Sequence, residues 1–283
     1  MPIARAGRRG PHFPENAGET VNGHVISFSI FGPDPKYRIG MMQNIRALEH
    51  VYPEWEMVIY CDRGNHDALA QESLGDKVEL VLQQQHSQGM EGMSWRLLAA
   101  LRSGVRALLF RDSDSLFTTR EAEAVKEWLQ SRYDTHIIRD HPYHQSPVMG
   151  GTLGVKGEAL RLLASLVQDR LHAHRRTEYG DDQAFLSGDF YVQVRENALV
   201  HTNCVRYFPE RTQPLPADRP GEDFVGAYAF LSAEERAKYQ AIRSSEAAVT
   251  LLPPHWQRHR LLKKIVKFYK PVRRIRHGCR WCL

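Results

Sequence analysis

The sequence predicts an α/β protein built on a mostly parallel sheet flanked by helices, and three observations carry that expectation. Short runs rich in β-branched and aromatic residues alternate with stretches of helical period through the first half of the chain, the rhythm of repeated βα units. The 283 residues, 42% hydrophobic and 25% charged, suffice for a real core and match neither a disordered nor a fibrous chain. No run approaches the roughly 18 consecutive apolar residues of a membrane span.

The strands expected in order are Val25 to Phe31, Met57 to Tyr60, Val78 to Leu82, Ala107 to Phe110 and His136 to Ile138. Between them fall helical patterns at Tyr37 to His50, Asp67 to Ser73, Trp95 to Ser103 and Arg120 to Gln130. Thr118 followed by Glu121 reads as a capping box, in which hydroxyl and carboxylate each satisfy a free backbone donor. Beyond residue 140 a glycine-rich turn (Gly150-Gly151-Thr152-Leu153-Gly154) precedes helices from Gly157 to Ala173 and from Asp181 to Leu186, then strand-like pieces at Phe190 to Val194 and near Leu199. Pro209 to Gly221 holds four prolines and reads as a loop.

Charge is unevenly placed. The formal net charge is +5, yet His255 to Leu283 alone holds six Arg and four Lys with no acid. The remaining 28 basic and 33 acidic residues leave a mildly acidic body, which argues against nucleic-acid binding by the domain. Within the tail, Leu261, Leu262, Ile265, Val266 and Phe268 or Tyr269 share one side of a basic helix ended by Pro271. Residues 258–276 therefore have the make-up of a segment that lies on an anionic membrane surface; a solvated tail, or one packed on the acidic body, is the alternative. Met1 to Glu19 lacks the apolar stretch of a secretory signal. The four cysteines (Cys61, Cys204, Cys279, Cys282) are too few for a disulfide framework, and Cys279 with Cys282 lack a second paired cluster to complete a zinc site. The expected setting is cytoplasmic, peripheral at the inner membrane face. The expected organisation is a flexible arm over 1–22, a catalytic domain over 23–235 and a helical basic segment over 236–283.

The chemistry concentrates after the fourth strand. Ala107-Leu108-Leu109-Phe110 runs straight into Arg111-Asp112-Ser113-Asp114-Ser115. Ligands of open α/β sheets sit beyond the carboxyl ends of strands, and in extended backbone residues i and i+2 point to one side. Asp112 and Asp114 are thus placed to share one hard cation, Mg²⁺ or Mn²⁺. A calcium loop fails, because its fifth and sixth positions would be Leu116 and Phe117. A helix N-terminal charge cluster and a two-metal phosphoesterase site remain open. Arg139-Asp140-His141 is unusually polar after an apolar strand and suggests sugar or acceptor recognition.

In the order of its motifs the chain resembles glycosyltransferases of the nucleotide-sugar, GT-A type, over roughly Val25 to Val225. Val25 to Gly32 is similar to the first strand, whose end cradles the nucleotide, and Tyr60-Cys61-Asp62 to the end of the second. Met93 to Leu98 resembles the helix from which an arginine reaches the donor. Asp112-Ser113-Asp114 resembles the Asp-x-Asp signature, Gly150 to Gly154 the small-residue turn beside the donor sugar, and Tyr179 to Gln183 the acidic segment facing the reacting sugar. The resemblance implies a Rossmann-type fold and transfer from a nucleotide sugar, a UDP-sugar, to a glycan or glycolipid. It implies donor contacts from Phe28, Ser29, Phe31, Asp62, Arg96, Arg111, Asp112, Ser113, Asp114, Gly150 and Gly151, with Asp182 and Asp181 at the reacting sugar. It implies a divalent cation held by Asp112, Asp114 and, as a third ligand, His201. A metal-dependent phosphoryl-transfer or phosphodiester-cleaving enzyme would use the same acidic pair, and an adaptor acting through its basic tail would need none of it.

Overall fold

The structure, a computed structural model, describes residues 23–83, 92–172, 180–245 and 249–251. The amino-terminal arm, the basic stretch 258–276, Tyr179 and the Cys279–Cys282 pair lie outside the described residues. In chain order the elements are β1 (His24–Ile30), α1 (Pro35–Val51), β2 (Glu56–Cys61), α2 (Arg63–Leu69), β3 (Val78–Leu82), a 3-10 helix (Gly92–Leu101), β4 (Ala107–Phe110) and α3 (Thr119–Gln130). There follow β5 (Thr135–Arg139), β6 (Leu153–Lys156), α4 (Gly157–His172), α5 (Asp181–Phe185), α6 (Tyr191–Val194), β7 (Ala198–Thr202), β8 (Val205–Tyr207), β9 (Arg211–Gln213), α7 (Ala233–Ser245) and β10 (Val249–Leu251).

Eight strands form one sheet in the order β3-β2-β1-β4-β6-β5-β7-β9. Every pairing is parallel except those of β6, which runs antiparallel between β4 and β5. The expected α/β class, a mostly parallel sheet with helices on its faces, is the one the chain adopts. Strand period 2 sorts side chains into two cores. Val25, Val58, Tyr60, Leu108, Phe110, Leu153 and Val200 face the 3-10 helix and α4. Ile26, Phe28, Ile30, Met57, Ile59 and Leu109 face α1 and α3.

The helices that bring residues to the carboxyl edge start on side-chain caps. Asp34 accepts from Lys36 N at 3.0 Å with Pro35 opening α1, Asp62 accepts from Asn65 N at 2.9 Å at the head of α2, and Thr118 accepts from Glu121 N at 3.1 Å at the head of α3. Only half of the expected capping box forms: the Glu121 carboxylate turns instead to Arg111 and to Tyr52 Oη, 2.9 Å away.

Other expectations need correction. The second helix starts four residues earlier than its pattern suggested, because Asp62 caps it. Phe190 to Val194 is helical rather than extended, laying Phe190, Tyr191 and Val194 on the core. The proline-rich stretch contributes Arg211–Gln213 as an edge strand beside β7, a place that tolerates neighbouring prolines. The division expected after residue 235 falls inside α7, which is bound to the body through Arg243 Nη2 to Asp140 Oδ1 at 2.9 Å and through Tyr239 O to His141 Nε2 at 3.1 Å. β10 pairs in parallel with β8, so Val249–Leu251 are strand where helix was expected. Among the described residues no helix is long and apolar enough to cross a membrane.

Candidate active site

At the carboxyl edge of β4 the chain does not stay extended. Ser115 N donates to Asp112 O at 3.3 Å, so Asp112 to Ser115 is a tight turn. The turn still keeps the two carboxylates together: burial and the Asp112 charge push the Asp114 carboxyl up to about 6, as expected of like charges crowded into a partly dry site. Asp112 itself remains 45% exposed. Gly40 of α1 lies so close against Ser113 O that a Cβ there would collide with it, which fixes the turn from below and buries Ser113.

Further groups converge on this turn. Arg96, buried on the 3-10 helix, directs Nη1 to Asp112 Oδ1 and Nη2 to Asp182 Oδ2, the latter at 3.2 Å. Its backbone is held from β1, with Arg96 N donating to Ser29 Oγ at 2.7 Å and Ser27 Oγ donating to Arg96 O at 2.8 Å. Gly150 and Gly151 pass over the pair: a Cβ on Gly151 would strike the Asp112 carboxylate, and one on Gly150 the Arg96 guanidinium. Asp182 Oδ1 is buried without a hydrogen-bond partner among the described residues. Asp181 points elsewhere, half exposed, with Arg170 Nη2 3.7 Å from its carboxylate. Tyr37 and Lys36 of α1 feel the Asp114 charge, and Ala229 N donates to Asp114 O at 2.8 Å.

A cleft of about 600 Å³ opens beyond the ends of β1 and β2, lined by Gly32, Arg38, Asp62, Arg63, Asn65 and Gln83 among others and by none of Arg96, Asp112, Asp114 or Asp182. Phe31, 39% exposed, sits at the end of β1 with its ring edge-on to Trp95, 6.0 Å between centroids.

Of the residues expected here, the structure brings together Ser29, Arg96, Asp112, Ser113, Asp114, Gly150, Gly151 and Asp182, with Phe31 and Asp62 at the rim. It does not bring the others. Phe28 is fully buried against Phe117 on the α1 face, since alternation sends it opposite to Ser29. Arg111 is buried and paired with Glu121. The Asp62 carboxylate is taken up by Gly32 N at 2.8 Å and by Asn65, so it shapes the cleft wall. Arg139 pairs with Glu210 at 2.6 Å, both fully buried. Asp140 accepts from Arg120, Val225 N and Arg243. His141 is held between Tyr143 N and Tyr239 O. This tripeptide is a buried framework, not an open recognition loop.

His201 is also misplaced for the metal. β7 is separated from β4 by two strands, roughly 14 Å at the usual strand spacing, and both ring nitrogens are engaged, by His136 Nε2 at 2.8 Å and Glu127 Oε2 at 3.0 Å. Among the described residues no group of three or more His, Cys, Asp or Glu side chains is gathered to hold an ion. Among the described residues the donor set offered at this turn is the Asp112 and Asp114 carboxylates.

Sequence reasoning missed Lys36, Tyr37, Arg38, Arg63 and Asn65, which lie one turn into the helices that follow β1 and β2. Their signal was positional: the first turn after a strand end always returns to the mouth. Nothing local marked the 224–231 segment, which reaches the acidic turn only through tertiary contacts.

No family model matches the sequence, and no curated protein matches it. Solved structures similar in fold include a 4-diphosphocytidyl-2C-methyl-D-erythritol synthase from Anaerococcus prevotii DSM 20548, at 13% identity and a TM-score of 0.44 over 77% of this chain and 98% of that one. A mannosyltransferase from Pyrobaculum calidifontis, solved with GDP-Man and Mn²⁺, aligns at 16% identity and 0.44 over 79% and 65%; the chain thus spans just under two thirds of that protein. A glycosyltransferase involved in glycosylation of the major capsid of PBCV-1 aligns at 12% and 0.40 over 64% and 84%. Likeness at this level is too slight to carry a reaction or a ligand from those proteins to this one.

Proposed function

We propose that the chain is a metal-dependent glycosyltransferase that takes a sugar from a nucleotide-sugar donor, a UDP-sugar, and passes it to a glycan or glycolipid. The observation that carries this reading is the convergence of Asp112, Asp114, Arg96, Asp182 and the Gly150-Gly151 turn at one strand end of a mostly parallel sheet. The acidic pair fits a divalent ion: burial, and after it the Asp112 charge, raise the Asp114 carboxyl, a cost that a cation between the two would relieve, and hard carboxylate oxygens with few protein ligands suit Mn²⁺ or Mg²⁺.

Asp112 and Asp114 would hold the ion. When bound, it neutralises the negative charge that builds on a diphosphate leaving group. Arg96 adds a fixed, buried cation on the same side, oriented in advance by its two carboxylate partners. Gly150 and Gly151, lacking a Cβ, leave room for the Arg96 guanidinium and the Asp112 carboxylate beside the ion position. Asp182, with one oxygen on Arg96 and the other unpartnered among the described residues, would accept hydrogen bonds from sugar hydroxyls or a proton from the acceptor; Asp181 is less well aimed. The basic stretch 258–276 would hold the protein on an anionic cytoplasmic membrane surface, each basic residue adding about 1 kcal/mol near the headgroups, and so bring it to a lipid-linked acceptor.

Calorimetry of UDP binding with and without Mn²⁺ tests the site. Wild type should bind UDP in a Mn²⁺-dependent manner, and Asp112→Asn and Asp114→Asn should each lose that dependence, with donor turnover falling at least about a hundredfold. Unchanged binding in both variants would sink the assignment. Hydrolysis of a phosphate ester without nucleotide-sugar binding would favour a phosphoryl-transfer enzyme instead.

A further inference from the structure

The described residues that expose large apolar side chains are few, and Tyr228 is one of those set against the acidic turn. Residues 224–231 form a strap that returns from the far end of the sheet and clamps onto that turn. Ser115 and Tyr228 form an antiparallel bridge, and Ala229 N donates to Asp114 O at 2.8 Å. Gly226, at φ +79°, turns the strap with His144 and Thr152 packed on its inner side. The Tyr228 ring is thereby presented 36% exposed, one residue from the backbone that Asp114 holds. The Lys36 ammonium lies 5.8 Å from its centroid and 4.8 Å from that of Tyr37, and Lys36 is paired with Asp34 at 3.0 Å.

We propose that Tyr228, with Lys36 and Tyr37 beside it, is a stacking platform for the acceptor, and that the acceptor presents a pyranose ring there; this rests on the transferase reading above. A sugar ring has one face of weakly positive C–H groups and a rim of hydroxyls. The C–H face matches the negative face of an aromatic ring, and the hydroxyl rim matches the neighbouring Lys36–Asp34 ion pair. An acyl chain fits less well, because covering the Lys36–Asp34 pair with hydrocarbon would strip water from two charges without replacing its hydrogen bonds. The platform adjoins Asp114, so a ring stacked on it turns its hydroxyls toward the ion site.

Saturation-transfer NMR on the full chain with diamagnetic Mg²⁺ and UDP, using methyl glucoside, galactoside and mannoside as probes, tests the proposal. Wild type should transfer magnetisation to the ring C–H protons of at least one probe. Tyr228→Phe should retain it. Tyr228→Ala should weaken that probe about tenfold or more, equivalent to about 1.4 kcal/mol. Tyr228→Leu, which keeps apolar bulk under the strap but offers no flat ring, should weaken it as much, so the result does not depend on the alanine variant folding. Calorimetric Mn²⁺–UDP binding should be unchanged in all three variants. No transfer to any probe in wild type, or undiminished transfer in both the alanine and leucine variants, overturns the platform. Glycoside binding that depends on Tyr228 in a protein that fails to bind UDP would leave the platform standing and remove the donor reading instead.

Discussion

Gly151 shows how closely the site depends on single atoms. A Cβ at this position would occupy the space of the Asp112 carboxylate, and the carboxylate cannot retreat without leaving Arg96. Gly151→Ala should therefore weaken Mn²⁺-dependent UDP binding at least about tenfold, since small displacements of positioned groups cost much in activity. The thermal midpoint should move little, because Gly151 lies at the mouth and not in the core; a large fall in midpoint would mark the turn as a folding element instead. The acidic pair was legible in the sequence because charge begins where a buried strand ends. Ser29 and Phe28 were not told apart, although alternation along β1 separates them: the serine faces the 3-10 helix that carries Arg96, and the phenylalanine fills the opposite core. Arg111, Arg139 and Asp140 look alike in sequence to ligand-binding residues, because what distinguishes them is a buried partner supplied from elsewhere, Glu121, Glu210 and Arg120 respectively.

Among the elements, β5 and the turn after β8 are joined by the most completely buried ion pair described. Arg139 Nη1 and Nη2 meet the two Glu210 oxygens at 2.7 and 2.6 Å, with Tyr191 Oη on Oε1 at 2.6 Å. Glu210→Gln leaves a guanidinium in the core without its counter-charge and should cost about 3–5 kcal/mol in urea unfolding, with the Mn²⁺–UDP affinity of the remaining folded protein unchanged. A loss under about 1 kcal/mol would mean that water reaches this pair. Element boundaries were legible where caps and strand ends are strong, as at β3, β4 and the start of α3. The run from Phe190 to Val194 was misread because a short apolar stretch fits a buried strand and a buried helix equally well. Its choice of helix is decided by the core beneath it and not by its own residues.

At the scale of the whole molecule, four histidines are sealed inside among the described residues: His136, His141, His144 and His201. Burial lowers the pKa of each, His144 to about 3, with only Glu127 opposing the shift at His201. The folded protein thus refuses protons that the unfolded chain accepts below about pH 6.5, and stability is full above that pH and lost as pH falls toward 3. Each such histidine steepens the loss by up to about 1.4 kcal/mol per pH unit. Thermal midpoints measured from pH 7.5 to 4 should fall, and His144→Phe should fall less steeply; parallel curves would mean that His144 titrates in the folded state. The antiparallel placement of β6 has a separate consequence for how such a chain can vary. β6 enters the sheet from the mouth, flanked on both sides, and the glycine pair is its lead-in. Chain length is therefore fixed over the few positions between the glycine pair and Leu153. One residue gained there would exchange the two faces of β6 and carry Leu153 and Val155 out of the core.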